Sequence, residues 1–213
     1  MIFKNRRQAG ELLAEKLSRY RDKEPLILSV PRGGVIVAEP VWDYLGGRLD
    51  LIISRKISSP YQPELAIGAV TADGFLLLND ILIRQQGISP EYIERAAESG
   101  RLEIQRRLTL YRGENKPPIL NDRIVLVVDD GVATGFTIKA ALRSVRRHKP
   151  AELVLAVPVG PPETLAVLRL EVDQLYCLES PAIFSAVGQF YGDFSQVDDT
   201  EVIRIMHRVF NCS

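Results

Sequence analysis

The sequence predicts an α/β fold: a doubly wound, mostly parallel sheet flanked by helices, with a β-hairpin and helical insertion and a small C-terminal hood. Three observations carry this. Short apolar runs alternate along the chain with segments of helical spacing. One run, Ile124-Val125-Leu126-Val127-Val128, has no polar interruption, as expected of a strand covered on both faces. Several runs also stop at a glycine turn or at paired charges, where a chain would leave a sheet.

The elements follow in order. Ala9, Leu12, Leu13 and Leu17 share one stripe at helical spacing, so the chain opens with an amphipathic helix. Leu26 to Val30 is a buried strand that runs into the turn Pro31-Arg32-Gly33-Gly34, and Val35 to Leu45 is a helix stopped by Gly46-Gly47. Leu51-Ile52-Ile53-Ser54 reads as the second strand, ended by Arg55-Lys56. Ala66 to Val70 and Phe75 to Leu78 make a hairpin around Asp73-Gly74. Pro90 to Tyr111 is a long helix, with Ser89 as N-cap and Pro90 at its first position. After Pro117-Pro118 comes the central strand, then a helix over Thr137 to Val145. A strand over Leu153 to Val157, a helix over Pro162 to Leu170 and a strand over Gln174 to Leu178 complete the alternation. Past Ser180 the pattern breaks into an aromatic cluster (Phe184, Phe190, Tyr191, Phe194) and a last helix over Asp198 to Val209. The expected organisation is one domain over residues 1–213, with the insertion at about 57–118 and the hood at about 180–213.

Composition narrows the function. Hydrophobic residues make up 46% and charged residues 25%, values that exclude a disordered chain. The 27 lysines and arginines balance 27 aspartates and glutamates, so no global field draws nucleic acid. Cys177 and Cys212, with His148 and His207, form no metal or disulfide pattern. The first residues lack the apolar core of a signal peptide, and no run approaches the roughly 18 apolar residues of a membrane span. The expected location is the cytoplasm, with no membrane partner.

The chemistry concentrates in Val125 to Thr137, VLVVDDGVATGFT. A buried strand ends in two carboxylates, and a loop with two glycines and two threonines then opens a helix. Such a loop sits at the carboxyl ends of the strands, where open α/β sheets bind ligands. Its amides and the helix N-terminus favour a phosphate, and the hydroxyls of Thr134 and Thr137 add donors. Asp129 and Asp130 repel each other unless something donates to them, and a ribose diol would do so. No GxxxxGK[ST] or GxGxxG pattern occurs, so neither a P-loop nor a dinucleotide site is indicated.

This segment resembles the binding signature for 5-phosphoribosyl-1-pyrophosphate (PRPP) of the type I phosphoribosyltransferases. The resemblance implies that Asp129 and Asp130 hold the ribose hydroxyls and contribute to catalysis. It implies that Gly131, Val132, Ala133, Thr134, Gly135, Phe136 and Thr137 cradle the 5-phosphate. Ala133 stands where hypoxanthine/guanine enzymes carry an aspartate, so the loop is closer to the adenine type. Arg32, Gly33 and Gly34 resemble the family's pyrophosphate turn, and Lys56 is the basic residue expected to reach the pyrophosphate, with Arg55 as its competitor. Ser58 to Glu64 occupies the place of the family's flexible loop. The hood usually recognises the acceptor, which points to Tyr191 or Phe190 as a stacking face. The PELAIGAV and VGQFYGDFSQV segments make the whole chain similar to a bacterial group whose acceptor is unsettled.

The expected activity is therefore transfer of a phosphoribosyl group from PRPP to a nucleobase-like nitrogen, with release of pyrophosphate. Mg²⁺ is the expected cofactor, touching Asp129 and Asp130 at most indirectly, and a homodimer is the family's usual assembly. The alternative is a non-catalytic sensor of PRPP or a nucleotide on the same fold. Arg143, Arg146, Arg147 and Lys149 would be its basic patch, although such a run also describes a solvated helix end.

Overall fold

The computed structural model describes residues 2–212. Its strands are β1 (Leu26–Ser29), β2 (Arg48–Leu51), β3 (Ser54–Ser58), β4 (Ala66–Thr71), β5 (Leu76–Leu78), β6 (Ile124–Val128), β7 (Glu152–Val159) and β8 (Gln174–Glu179). Its helices are α1 (Arg6–Lys16), α2 (Gly33–Leu45), α3 (Asp80–Gln85), α4 (Pro90–Arg112), α5 (Phe136–Arg147), α6 (Pro162–Arg169) and α7 (Asp199–Asn211). Five strands form a parallel sheet in the order β2-β1-β6-β7-β8, and three form an antiparallel sheet in the order β3-β4-β5.

The uninterrupted run in β6 has a simple cause. Leu126 and Val128 enter a core shared with α1, α2 and α7, whereas Val125 and Val127 enter a second core with α5 and α6. A strand alternates its side chains between faces, so when both faces are covered every position is apolar. The same division holds in β7, where Val154 and Ala156 face one core and Leu153, Leu155 and Val157 the other.

The edge strand corrects the sequence reading. The strand expected at residues 51–54 is β2, four residues long and ending at Leu51, in register with β1 from Leu26↔Arg48 to Ser29↔Leu51. Asp50 hid it, because a carboxylate inside a buried strand violates the apolar pattern. Arg112, at the end of α4, compensates that charge with bonds of 3.0 and 2.8 Å to Asp50 Oδ1, and Arg48 lies 3.2 Å from Oδ2. The chain then turns into β3, so Arg55 and Lys56 lie within the antiparallel sheet rather than beyond the second strand.

That second sheet adds β3 to the expected hairpin of β4 and β5. It is packed between α4 and α5. Arg55 pairs with Val70 across the strands and packs its stem near Gly100 of α4, so Arg55 and Ile57 point toward α4. Ser54 and Lys56, one residue out of phase, point toward α5. The Ser54 hydroxyl bears this out by donating to the Thr137 carbonyl at 2.9 Å. Helix α4 starts as its sequence requires: the Ser89 side chain accepts from the Tyr92 amide and Pro90 occupies the first turn.

Beyond β8 the tail has two parts. Residues 187–193 meet the N-terminus: the Phe3 amide donates to the Phe190 carbonyl at 2.7 Å, and the Gly192 amide to the Phe3 carbonyl at 2.7 Å. Helix α7 instead joins the body, burying Val202, Ile205, Met206 and Val209 in the core shared by α2 and α4. Buried Glu39 of α2 ties α1 and α7 to that helix by accepting from Arg7 at 3.2 Å and from Arg208 at 2.8 Å. No helix among the described residues is long and apolar enough to cross a membrane.

The Asp50–Arg112 pair makes the sheet edge sensitive to one substitution. Arg112→Leu should cost about 3 kcal/mol, the lower end for orphaning a buried charge, because Arg48 still reaches Asp50. Urea unfolding measures it; a loss under about 1 kcal/mol would mean that Arg48 and solvent suffice.

Candidate functional site

In the order β2-β1-β6-β7-β8 the chain leaves β1 toward one edge and β6 toward the other. The two departing loops diverge and open a crevice between them, the switch point at which such sheets bind ligands. Both motifs singled out from the sequence lie here. Residues 30–34 leave β1, with a cis bond between Pro31 and Arg32, and residues 129–137 leave β6.

Their contact is close enough to dictate residue type. A Cβ on Gly33 would lie 2.0 Å from Asp130 Oδ2 and 2.7 Å from Arg6 Nε, and one on Gly34 would lie 3.0 Å from the Asp129 Cα. The turn can cross the acidic pair only without side chains. At the other end of the loop Gly135 adopts φ 70°, left-handed backbone that an L-residue resists, and so starts α5. No side chain caps α5 at Gly135. Its first-turn amides therefore face the crevice end without an internal acceptor, alongside exposed Ala133, Thr134 and Thr137. The loop is braced from α6, where the Thr164 hydroxyl donates to the Ala133 carbonyl at 2.8 Å. A groove of about 650 Å³ runs beside it, lined by Thr134, Gly135, Phe136 and Lys139 and, from the opposite wall, by Asn79 and Arg84.

The two acids differ. Asp129 Oδ1 accepts from the Asp130 amide at 2.8 Å. Asp129 itself is partly exposed. Burial, and secondly the charge on Asp130, hold it well above the usual carboxylate range. Asp130 is an ion-pair partner: its Oδ2 accepts from Arg6 Nε at 2.7 Å, with both side chains largely covered. Arg6 Nη1 donates to the Ser195 carbonyl at 2.9 Å, and the guanidinium lies 3.7 Å from the Phe194 ring centre.

Other expected residues fall into different positions. Arg32 reaches Asp199 Oδ1 at 3.6 Å, and Asp199 also accepts from the Tyr111 hydroxyl at 2.6 Å. The Tyr111 phenol is pushed up to about 12 by burial and by this bond. Lys56 points to the α5 side and donates to the carbonyls of Pro63 and Glu64 at 3.2 and 3.4 Å. Arg55, facing α4, lies 3.8 Å from Glu103. Tyr191 requires a correction, because it offers no stacking face. Its ring is buried between Phe3 and Phe194, with centroid separations of 5.3 and 5.0 Å, and its hydroxyl donates to the Asp130 carbonyl at 2.6 Å. Burial pushes that phenol up and keeps it a donor. Phe190 is half-buried against Phe184. Of the basic run in α5, Arg143 pairs with Glu171, Arg146 with Asp173 and Arg147 with Asp73.

Sequence reasoning missed Arg6, Asp199 and Tyr111. Asp199 and Tyr111 left no signal. Arg6 left one: it lies three residues before Ala9 and seven before Leu13, on the apolar stripe of α1, where a charge needs a buried partner.

Comparison with known proteins places the chain in a family. The model of the phosphoribosyl transferase domain matches residues 2–191. Two Mycobacterium tuberculosis proteins, MT0597 of strain CDC 1551 and Rv0571c of strain H37Rv, are both named provisionally as phosphoribosyl transferases. Each is 40% identical over 208 residues, 97% of this chain and 47% of the relative. The chain thus spans about half the length of the curated relatives it matches. The crystal structure of TT1426 from Thermus thermophilus is similar at 40% identity and TM-score 0.84, covering 98% of this chain and 99% of that one.

The raised Asp129 has a signed consequence for stability. A carboxyl whose folded pKa exceeds its unfolded value keeps its proton on folding. Its favourable contribution is then fully present below the ordinary carboxylate range and is lost as pH rises toward the folded value. Asp129→Asn keeps the acceptor for the Asp130 amide and removes that loss. Its melting temperature should differ little from the native protein's near pH 4 and exceed it increasingly toward pH 8. A gap that stays constant across this range would contradict a raised Asp129.

Proposed function

This chain belongs to the phosphoribosyl transferase family, and on that premise we propose that the crevice between β1 and β6 binds PRPP and transfers its phosphoribosyl group to a nucleobase-like nitrogen. The observation that carries the reading is the meeting of an uncapped helix N-terminus, a paired-acid strand end and an arginine-bearing glycine turn within one crevice. The α5 amides with Thr134 and Thr137 take the 5-phosphate. Asp129 and Asp130 take the ribose hydroxyls, and Arg32, the amides of Gly33 and Gly34, and Lys56 take the pyrophosphate.

In the transfer step the bond between C1 and the pyrophosphate oxygen breaks while the acceptor nitrogen's lone pair forms a bond to C1. The pyrophosphate leaves with the bonding pair, and the acceptor's N–H proton passes to water. Charge develops as in other glycosyl transfers, positive on the ribose ring and negative on the leaving group. In this reading Asp130 meets the first charge, and Arg32 and Lys56 meet the second. Catalysis is then positioning and charge stabilisation, with no covalent protein nucleophile.

Mg²⁺ enters this reading with its substrate, as Mg–PRPP. Among the described residues no cluster of three or more His, Cys, Asp or Glu can hold a metal ion, and Asp130 is already engaged by Arg6. The residues present therefore suit a metal carried by the pyrophosphate better than a resident one. The setting in this reading is the cytoplasm.

Titration calorimetry with Mg–PRPP should detect binding that Asp130→Asn weakens by about 10- to 100-fold, the value of one charge-assisted hydrogen bond. Circular dichroism should report an intact fold. Unchanged affinity would remove Asp130 from the site. Arg32→Ala and Lys56→Ala should each weaken PRPP by about tenfold or more and leave ribose 5-phosphate unaffected, because only PRPP carries the pyrophosphate. Equal losses for both ligands would refute that division. Pyrophosphate release across a panel of nucleobases decides turnover, and binding without release would leave a sensor.

A further inference from the structure

Arg6 is a charged side chain on the covered face of α1, only 9% exposed. A buried guanidinium needs partners for its donors, and these come from two remote parts of the chain. Nε donates to Asp130 Oδ2, Nη1 donates to the Ser195 carbonyl, and the plane rests on Phe194. The contact with Asp130 uses Nε alone and not a two-pronged fork, so it engages one carboxylate oxygen. Gly33 presses on that same oxygen, since even a Cβ there would lie 2.0 Å away. Oδ2 thus lies between Arg6 and the glycine turn. Arg6 does not engage Oδ1, and the neighbouring Asp129 carboxyl lies within hydrogen-bonding reach of the Asp130 side chain.

Resting on the assignment of the ribose to the acidic pair, we propose that Arg6 is a positioning residue for the sugar: it holds Asp130 by one oxygen so that the other is presented to a ribose hydroxyl. The far end of the phosphate loop has supports of its own. That loop is braced by Thr164 of α6 and by Ser54 of β3, on the other side of the strand end. The two halves of the ligand are therefore held by separable supports. A site that hydrogen-bonds a hydroxyl penalises a ligand lacking it, so the sugar's share of affinity can be read by comparing ligands with and without the sugar.

The experiment measures the affinities of inorganic phosphate and ribose 5-phosphate by calorimetry for the native protein, Arg6→Gln and Arg6→Lys. The native protein should prefer ribose 5-phosphate. Arg6→Gln should shrink that preference by about tenfold while phosphate affinity stays within about twofold. Arg6→Lys, which keeps a charge and a donor, should retain part of the preference. An unchanged preference in Arg6→Gln overturns the proposal. So does a proportional loss of both ligands in both variants, which would make Arg6 a purely structural support. A native protein that binds phosphate but shows no preference for the sugar overturns the ribose assignment itself, and the role of Arg6 with it.

Discussion

Asp130 accepts from Arg6 at 2.7 Å, and around this ion pair the N-terminal helix, the glycine turn and the tail are fitted together. The need for it is electrostatic. Two like charges about 4 Å apart repel by about 4 kcal/mol at an effective dielectric constant near 20. That is a large part of the roughly 5–15 kcal/mol by which proteins are usually stable. Two bare carboxylates at the end of a buried strand are therefore untenable together. The structure separates them by environment: burial and the neighbouring charge raise Asp129 above the usual carboxylate range, while Asp130 is paired with the largely covered Arg6. Neighbouring acids thereby become unlike groups, one raised above the usual carboxylate range and one held by an arginine.

The same pair explains features that otherwise look unrelated. Gly33 and Gly34 are side-chain-free because the turn passes over the acids and Arg6. The N-terminal strand-like bridge between Phe3 and Tyr191 brings α1 to the place where Arg6 can reach β6. Tyr191 then locks the loop from behind by donating to the Asp130 carbonyl. An aromatic cluster near glycines was legible in the sequence, but its task was not. A phenol that stacks on a ligand and one that braces a backbone carbonyl leave the same trace in a sequence.

That contrast defines what was legible. The central strands were readable because both of their faces are covered, which leaves an unbroken apolar run, and the turns after β1 and β6 were readable because close backbone approach demands glycine. Both concern local constraints. What stayed hidden depends on pairing across the chain. Strand β2 was displaced in the reading because Asp50 is neutralised by Arg112, which lies 62 residues away. Arg6 meets Asp130 across 124 residues. Helix α3 was missed because it is only six residues long and fully buries none of them, so its pattern carries little periodic signal. The pleat, once known, also separates Lys56 from Arg55, a choice that adjacent basic residues cannot reveal.

The two ion pairs at the crevice are built for different fates. Arg6 and Asp130 are largely covered and 2.7 Å apart, so removing either partner strands a buried charge. Arg32 and Asp199 are 3.6 Å apart with side chains 35% and 42% exposed, a contact of small net value that solvent and salt weaken. An anionic phosphate offers Arg32 shorter bonds than Asp199 does, and Asp199 is not left unpaired when Arg32 departs, because Tyr111 still donates to it. Asp199 lies beyond residue 191, where the match to the family domain ends. The acceptor for a released arginine's charge is thus supplied by the chain's own last helix. In the proposed reading the covered pair orients the acid that takes the ribose, and the exposed pair is the one that a phosphate can replace.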